Sequence, residues 1–593
     1  MSSTKPRSVS QSRTVEDLRR CVATLWTRDL VAPSSKKASK GRDTTHQNAS
    51  SSTGPSTSSE VTLDGESLTL EQLLLLGEPS TKILVSQDAV DRMRRSRKVI
   101  TDSMDSKRVV YGINTGFGRL SSKVVDLTQL AELQVNLIRS HATGVGAAIP
   151  NNQAKRVMAL RINTLLKGCS GVSEDTFTKL VAFFNSGLIP YVRAQGTVGA
   201  SGDLVPLAHI ALNVIGEGQC YSPKIQSFVP VTDALLREYN LTRATLQAKD
   251  GLALINGTQF ICGVGAEAVG NAVRVLQASH IAAAVTLTAL QGHPEAYDAQ
   301  IHSVRGHPGQ IASAALMRAF LPPGCIKDPN RFDCQDPYSL RCLPQVHGPV
   351  VENVERIKRE LEIEINAATD NPLIFGDTQR MISGGNFHAE YVAKALDCLA
   401  IYVHELSSIS YSRLMRVLNP HKNNDSLPTF LIRSAGLSSG FMTWENVSAS
   451  LVSENKVLCH PSSVDSLSTC ADKEDHVSMG GMSARKAVQV SENVAKCITI
   501  ELMAGIQALY LLTDGEGGSP IRLPPMVQCV FEFCKPDFAK LESDRYLVPE
   551  FDRLYQKVIS GELFDHIAPM LPSQSDAEEG TGVGAAGGKQ AKL

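Results

Sequence analysis

The most unusual chemistry in this sequence is carried by Gly196-Thr197-Val198-Gly199-Ala200-Ser201-Gly202-Asp203-Leu204. Glycines at 196, 199 and 202 let the backbone fold tightly, and Gly202 has no side chain to keep its nitrogen from the carbonyl carbon of Ala200. Attack of that nitrogen closes a five-membered ring. Loss of water, including the Ser201 hydroxyl, then leaves an exocyclic methylidene, an electrophile that none of the ordinary side chains supplies. The same letters also spell a glycine-rich turn, and composition alone does not choose between the two. His141 is a second candidate. Leu133 and Leu137 lie one helical turn apart and His141 continues their stripe, so its imidazole is predicted to point inward.

The elements that must position these residues read as helices. Val350, Val354, Ile357, Leu361 and Ile365 make one stripe, stopped by Asp370-Asn371-Pro372. Val392, Leu396, Leu399, Val403 and Leu406 make a second, and Val490, Val494, Ile498, Leu502 and Ile506 a third. The Ala/Val/Leu-rich run from Thr258 to Leu290 reads as a helix buried on several sides. The expected fold is mainly α: an elongated bundle of long helices with a smaller N-terminal region carrying the active-site loops. The expected segments are a disordered Ser/Thr-rich leader (1–60), an N-terminal region (61–255), a central bundle (256–515), a C-terminal helical region (516–572) and a flexible tail (573–593). The leader holds 22 Ser or Thr with 10 basic and 5 acidic residues, a composition that resists packing. Within it Val15, Leu18, Val22 and Leu25 are spaced for a short amphipathic helix near Trp26.

Composition excludes several function classes. The 593 residues carry 59 Lys+Arg against 60 Asp+Glu, so the chain lacks the positive excess that phosphate-backbone binding uses, and no nucleic-acid partner is expected. No uninterrupted apolar run approaches the ~20 residues of a spanning helix, so no membrane association is expected. Thirteen cysteines without CxxC pairs suit reduced thiols better than a disulfide framework or a zinc site, and no metal is expected. Gly263-Val264-Gly265-Ala266-Glu267-Ala268 matches a dinucleotide fingerprint in letters only, because it falls inside a helical pattern and reads as small residues where helices pack closely. Neither a phosphate-binding GxxxxGKS/T loop nor an HExxH zinc motif is present.

Longer strings give a resemblance. Tyr111-Gly112-Ile113-Asn114-Thr115-Gly116-Phe117-Gly118, Leu133 to His141, Gly196 to Leu204, Ile255 to Gln259, Gln335 to Cys342, Ser383 to Glu390 and Ser453 to Gly481 resemble the aromatic amino acid ammonia-lyase family, in its eukaryotic type. The resemblance spans almost everything after residue 61. It implies that Ala200, Ser201 and Gly202 become a 4-methylideneimidazol-5-one group, formed autocatalytically, with no metal or nucleotide. It implies a non-oxidative elimination of ammonia. Such a reaction must remove a weakly acidic β-proton and expel a poor leaving group, so both ends need help. By the match, Tyr111 is the candidate base, Arg341 binds the substrate carboxylate with its planar fork, and Asn256, Gln335, Tyr338 and Phe387 line the same pocket.

Substrate choice is implied by two places. Ser140-His141 is the pair typical of histidine-specific members, where phenylalanine-specific members carry Phe-Leu and tyrosine-specific ones His-Leu. Glu474, in Lys473 to Gly480, matches a glutamate that sits near the imidazole in histidine-specific members, where phenylalanine-specific ones have an amide. The expected substrate is therefore L-histidine and the product trans-urocanate, the first step of histidine breakdown; Glu474 also stands as a catalytic candidate. The alternatives are a phenylalanine or tyrosine lyase, an aminomutase with the same group, and an inactive helical scaffold. Lys473 and the Asn419–Asp425 loop depart from the family pattern. The family implies a homotetramer with active sites shared between subunits. A cytoplasmic location is expected, with a peroxisomal address as the alternative from the terminal Ala591-Lys592-Leu593.

Overall fold

The computed structural model describes residues 8–26, 59–105, 113–120, 122–326, 335–515 and 520–572. Tyr111 and the Ala591-Lys592-Leu593 terminus lie outside the described residues. The helices that build the site are, in chain order, α1 (Ser8–Trp26), α2 (Leu130–His141), α3 (Asn151–Leu166), α4 (Leu204–Val214), α5 (Asp250–Ile255), α6 (Gln259–Ala289), α7 (Pro308–Phe320), α8 (Tyr338–Arg341), α9 (Leu343–Ile365), α10 (Glu390–Leu418), α11 (Met442–Leu458) and α12 (Gly480–Thr513).

The apolar stripes decide how these helices pack. Every stripe residue expected on α9, α10 and α12 is buried. α6 and α12 run along each other, α10 covers α12, and α9 packs on α10. α6 is buried on nearly every side. By length and composition α6 and α12 would cross a membrane, yet 94% and 89% of their most apolar windows are buried inside the fold. The fingerprint-like glycines serve helix packing: a Cβ at Gly263 would crowd Val157 of α3, and one at Gly265 would crowd Leu396 of α10. Strands are short and peripheral; the longest set pairs Ile189–Pro190, Gln219–Ser222 and Ser227–Pro230 antiparallel. One buried apolar cluster runs from Leu18 to Ala568, so the described parts of the first four expected segments share a continuous core.

The leader carries the amphipathic helix that its spacing near Trp26 predicts: α1 is folded onto α7 and α9 with Leu18, Cys21, Val22, Leu25 and Trp26 buried. Burying that stripe offsets the cost of ordering the helix. Thr24 Oγ1 donates to Glu355 Oε2 (3.1 Å) and Trp26 Nε1 to Pro572 O (3.3 Å), which brings the leader beside the end of the C-terminal helical region.

The bundle core holds a buried histidine pair. His280 Nδ1 donates to Leu276 O (2.8 Å), its Nε2 accepts from Ser313 Oγ (2.8 Å), and His347 lies edge-on at 4.6 Å between ring centroids. Burial pushes His280 down to about 4 and holds His347 well below the ordinary imidazole range, with Arg413 nearby acting in the same direction. An unfolded histidine takes up its proton near pH ~6.5, whereas native His280 resists until about pH 4. Stability is therefore full above ~6.5 and falls as the pH drops, by about 3 kcal/mol for His280 alone. Urea midpoints recorded between pH 7 and 4 are expected to decline, and less steeply in His280→Gln.

Candidate active site

The loop after Gln195 is held in the turn that its glycines permit. Gly199 and Gly202 have φ of +67° and +73°, and a Cβ on Gly202 would overlap the backbone of Gly257. Gly202 pairs with Gly257 in a one-residue bridge, and Asp203 N donates to Gly257 O (2.7 Å). Met479 N donates to Val198 O (2.9 Å) on the other side. Asp203 fastens the loop from beneath. Thr197 Oγ1 and Ile261 N donate to its two oxygens at 3.0 Å each. Burial drives its carboxyl up to about 7, and those hydrogen bonds restrain the rise. The N-termini of α4, α6 and α12 all abut this loop, so the positive ends of three helix dipoles converge there.

Ser201 sits between two polar partners. Its Oγ donates to Glu474 Oε1 (2.6 Å), whose second oxygen accepts from Thr469 Oγ1 (2.6 Å). Its carbonyl accepts from Asn256 Nδ2 (2.6 Å). A cavity of about 440 Å³ opens over this group, lined by Ser201, Asn256, Glu474, His141 and Phe387 among apolar neighbours such as Leu133 and Leu252. Asn256 Oδ1 is buried with no partner, an acceptor free for a ligand N–H. His141 is half-buried at the end of α2, with Nδ1 2.8 Å from Leu137 O. That carbonyl only accepts, so Nδ1 carries a proton and Nε2 is the ring nitrogen available to a ligand.

The structure thus brings together Ala200, Ser201, Gly202, His141, Asn256, Phe387 and Glu474. It does not bring Gln335, Tyr338 and Arg341 to them within one chain. None of the three lines the cavity. Long helices set the separation. Thr258, beside Asn256, bonds Glu364 near the end of α9, while Arg341 precedes the start of that helix; at ~1.5 Å per residue the two ends are about 30 Å apart. α6 gives a second ruler. Its first turn adjoins Asn256, whereas Asp336 binds His293 N, just past its last turn, about 45 Å away by the same rise. Arg341 instead stacks over Tyr338 at 4.7 Å and donates Nε to Asp336 O (2.7 Å), and Tyr338 is 71% exposed.

Other residues of the site carried no clear signal in the sequence. Thr469 is one of many Ser and Thr in its stretch, and Asn371 and Cys470 line the cavity from loops. Gly436-Leu437-Ser438-Ser439-Gly440 spells the letters of a nucleophile elbow, but it forms a turn whose Ser439 and Gly440 nitrogens are bound by Asp544 at 2.7 and 2.8 Å. A nucleophile elbow requires a strand-to-helix turn, which this is not.

A model of the aromatic amino acid lyases matches residues 68–523. The chain belongs to this family. Histidine ammonia-lyase of Bos taurus is 44% identical over 517 residues, covering 86% of this chain and 77% of its own. The crystal structure of histidine ammonia-lyase from Trypanosoma cruzi superposes with a TM-score of 0.80 at 43% identity, covering 90% of this chain and 99% of that one. Tyrosine aminomutase from Streptomyces globisporus also gives a TM-score of 0.80, at 32% identity over 86% of this chain and 98% of its own. The family thus includes carbon–nitrogen lyases and aminomutases on a shared helical frame.

Proposed function

We propose that the chain is a histidine ammonia-lyase that converts L-histidine to trans-urocanate and ammonia. The observation that carries this reading is that His141 and Glu474 line one cavity with Ser201. A histidine nitrogen and a carboxylate suit an imidazole with two polar ring nitrogens, whereas an apolar phenyl ring offers neither of them a hydrogen bond.

Ala200, Ser201 and Gly202 fit the 4-methylideneimidazol-5-one group. Gly202 has the positive φ and lacks the side chain that would hinder its nitrogen, and the Ser201 hydroxyl to be lost already rests on a carboxylate. When formed, the group supplies an electrophile for the substrate amine. Asn256 holds the Ser201 carbonyl through Nδ2 and presents Oδ1 to the substrate's N–H. Phe387 and Leu133 exclude water beside it. Tyr111 is assigned the β-proton by its family match. Arg341 binds the carboxylate in this proposal, reaching the cavity of a second subunit, since its own lies tens of ångströms away. A homotetramer with shared sites satisfies that requirement. The proposed location is the cytoplasm.

The test is incubation of purified protein with histidine, phenylalanine and tyrosine side by side, following urocanate by its ultraviolet absorbance. Turnover of histidine well ahead of the others is expected; preference for tyrosine or phenylalanine would replace the reading with the corresponding lyase or aminomutase. His141→Leu is expected to lower histidine turnover by about 100-fold, the scale of losing a buried polar partner.

A further inference from the structure

Behind the cavity lies a buried charge cluster that the reaction as described leaves unused. Arg161 of α3, Lys249 at the start of α5 and Asp370 after α9 are each no more than 1% exposed. Lys249 Nζ lies 3.1 and 3.2 Å from the two Asp370 oxygens, and Arg161 Nη2 lies 3.9 Å from Asp370 Oδ2. Arg161 Nη1 donates to Asn256 O (2.5 Å) and to Gln259 Oε1 (3.0 Å). Asp370 Oδ1 accepts from Asn371 N (2.6 Å). Asn256 and Asn371 both line the cavity.

We infer that Arg161, held against Asp370 and Lys249, is a positioning residue that fixes Asn256 on the Ser201 carbonyl. Asn256 leaves α5 with φ −94° and ψ 113°, so its carbonyl has departed from the helical ladder and needs another donor. Arg161 is that donor. The following Gly257 is wedged against Arg161 Nη1, the Gln259 amide and Thr369 Oγ1, so the segment that bridges Gly202 rests directly on the guanidinium. Asp370 ties the same cluster to Asn371, which also lines the cavity. Two cations share one carboxylate here. Removing Asp370 leaves two buried like charges, a severe structural insult, whereas removing Arg161 leaves the Lys249–Asp370 pair balanced. Arg161 is therefore the informative position.

The experiment is a double-mutant cycle of Arg161→Gln with Asn256→Ala in the full-length enzyme, and it rests on the proposed activity only for its turnover arm. The first readout is the mass of the loop peptide containing Ala200-Ser201-Gly202, which reports how much of it has lost two waters without any substrate. Arg161→Gln is expected to lower that dehydrated fraction at least twofold, and Arg161→Lys to restore most of it. The second readout is turnover per dehydrated loop. Arg161→Gln is expected to cost about 10-fold alone but less than about 2-fold on top of Asn256→Ala, because coupled residues are not additive. If Arg161→Gln does not accumulate as folded protein, the cycle is run with Arg161→Lys, with an expected cost of about threefold that again vanishes beside Asn256→Ala. Equal factors in both backgrounds, or an unchanged dehydrated fraction, would overturn the inference. Failure of the wild-type protein to act on histidine, with the loop data as expected, would instead sink the substrate assignment and leave the positioning role standing.

Discussion

Ser201→Ala is expected to abolish ammonia release, by about 1000-fold or more, while the protein keeps its fold and its ability to bind substrate. The size follows from the chemistry: without an electrophile for the amine, the leaving group stays poor, and about 4 kcal/mol of added barrier already amounts to a thousandfold. Retention of the fold follows from the surroundings. Ser201 contributes one side-chain hydrogen bond, to Glu474, and that carboxylate keeps Thr469 as a donor. The loop is fastened by Asp203, Gly257 and Met479, none of which touches the Ser201 hydroxyl. Circular dichroism and thermal unfolding should therefore match the wild type within a few degrees, and mass spectrometry of the loop peptide should show no loss of two waters. Turnover at the wild-type rate from a linear loop would remove the electrophile from the mechanism.

Much of this arrangement was legible in the sequence because the helices are long and regularly striped. The runs ending at Ile365, Leu406 and Ile506 bury the residues their spacing predicts, since a 3.6-residue period repeated over many turns leaves one consistent inward face. The loop at Ser201 was legible through the family resemblance of its neighbouring strings, since its glycines alone also spell an ordinary turn. The amphipathic spacing of α1 was visible too, yet local composition argued for solvent, and only the groove offered by α7 and α9 makes burial of Leu25 and Trp26 favourable. Distance was the quantity that the letters hid. Arg341 and Ser201 belong to one family pattern, but nothing in their sequence separation says that α9 and α6 carry them to opposite ends of the bundle. Arg161, Lys249 and Asp370 were silent for a related reason: each is a common charged residue, and only the fold makes them meet.

That hidden distance leads to the second large effect, which mixing of subunits should expose. Ser201→Ala and Arg341→Ala are each expected to be nearly inactive as homo-oligomers, the first without its electrophile and the second without a bidentate partner for the substrate carboxylate. In coexpressed mixed oligomers the outcome depends on which chain supplies each group. If one chain supplied both, every site would lack one of them and no activity would return. With Arg341 about 30 Å along α9 from its own cavity, the proposed shared site draws its arginine from another subunit. A site then works when its Ser201 chain and its Arg341 chain are both intact at those positions. Random assembly of equal amounts makes each condition true half the time, so about a quarter of the wild-type activity should return. Tyr338, 71% exposed and stacked under Arg341, is expected to behave in the same way, because both sit on α8 and neither lines the cavity of their own chain. The measurement is the initial rate of urocanate formation by oligomers purified through two different tags. Recovery near zero would require α8 to reach its own Ser201, which α6 and α9 forbid unless the bundle itself is rebuilt.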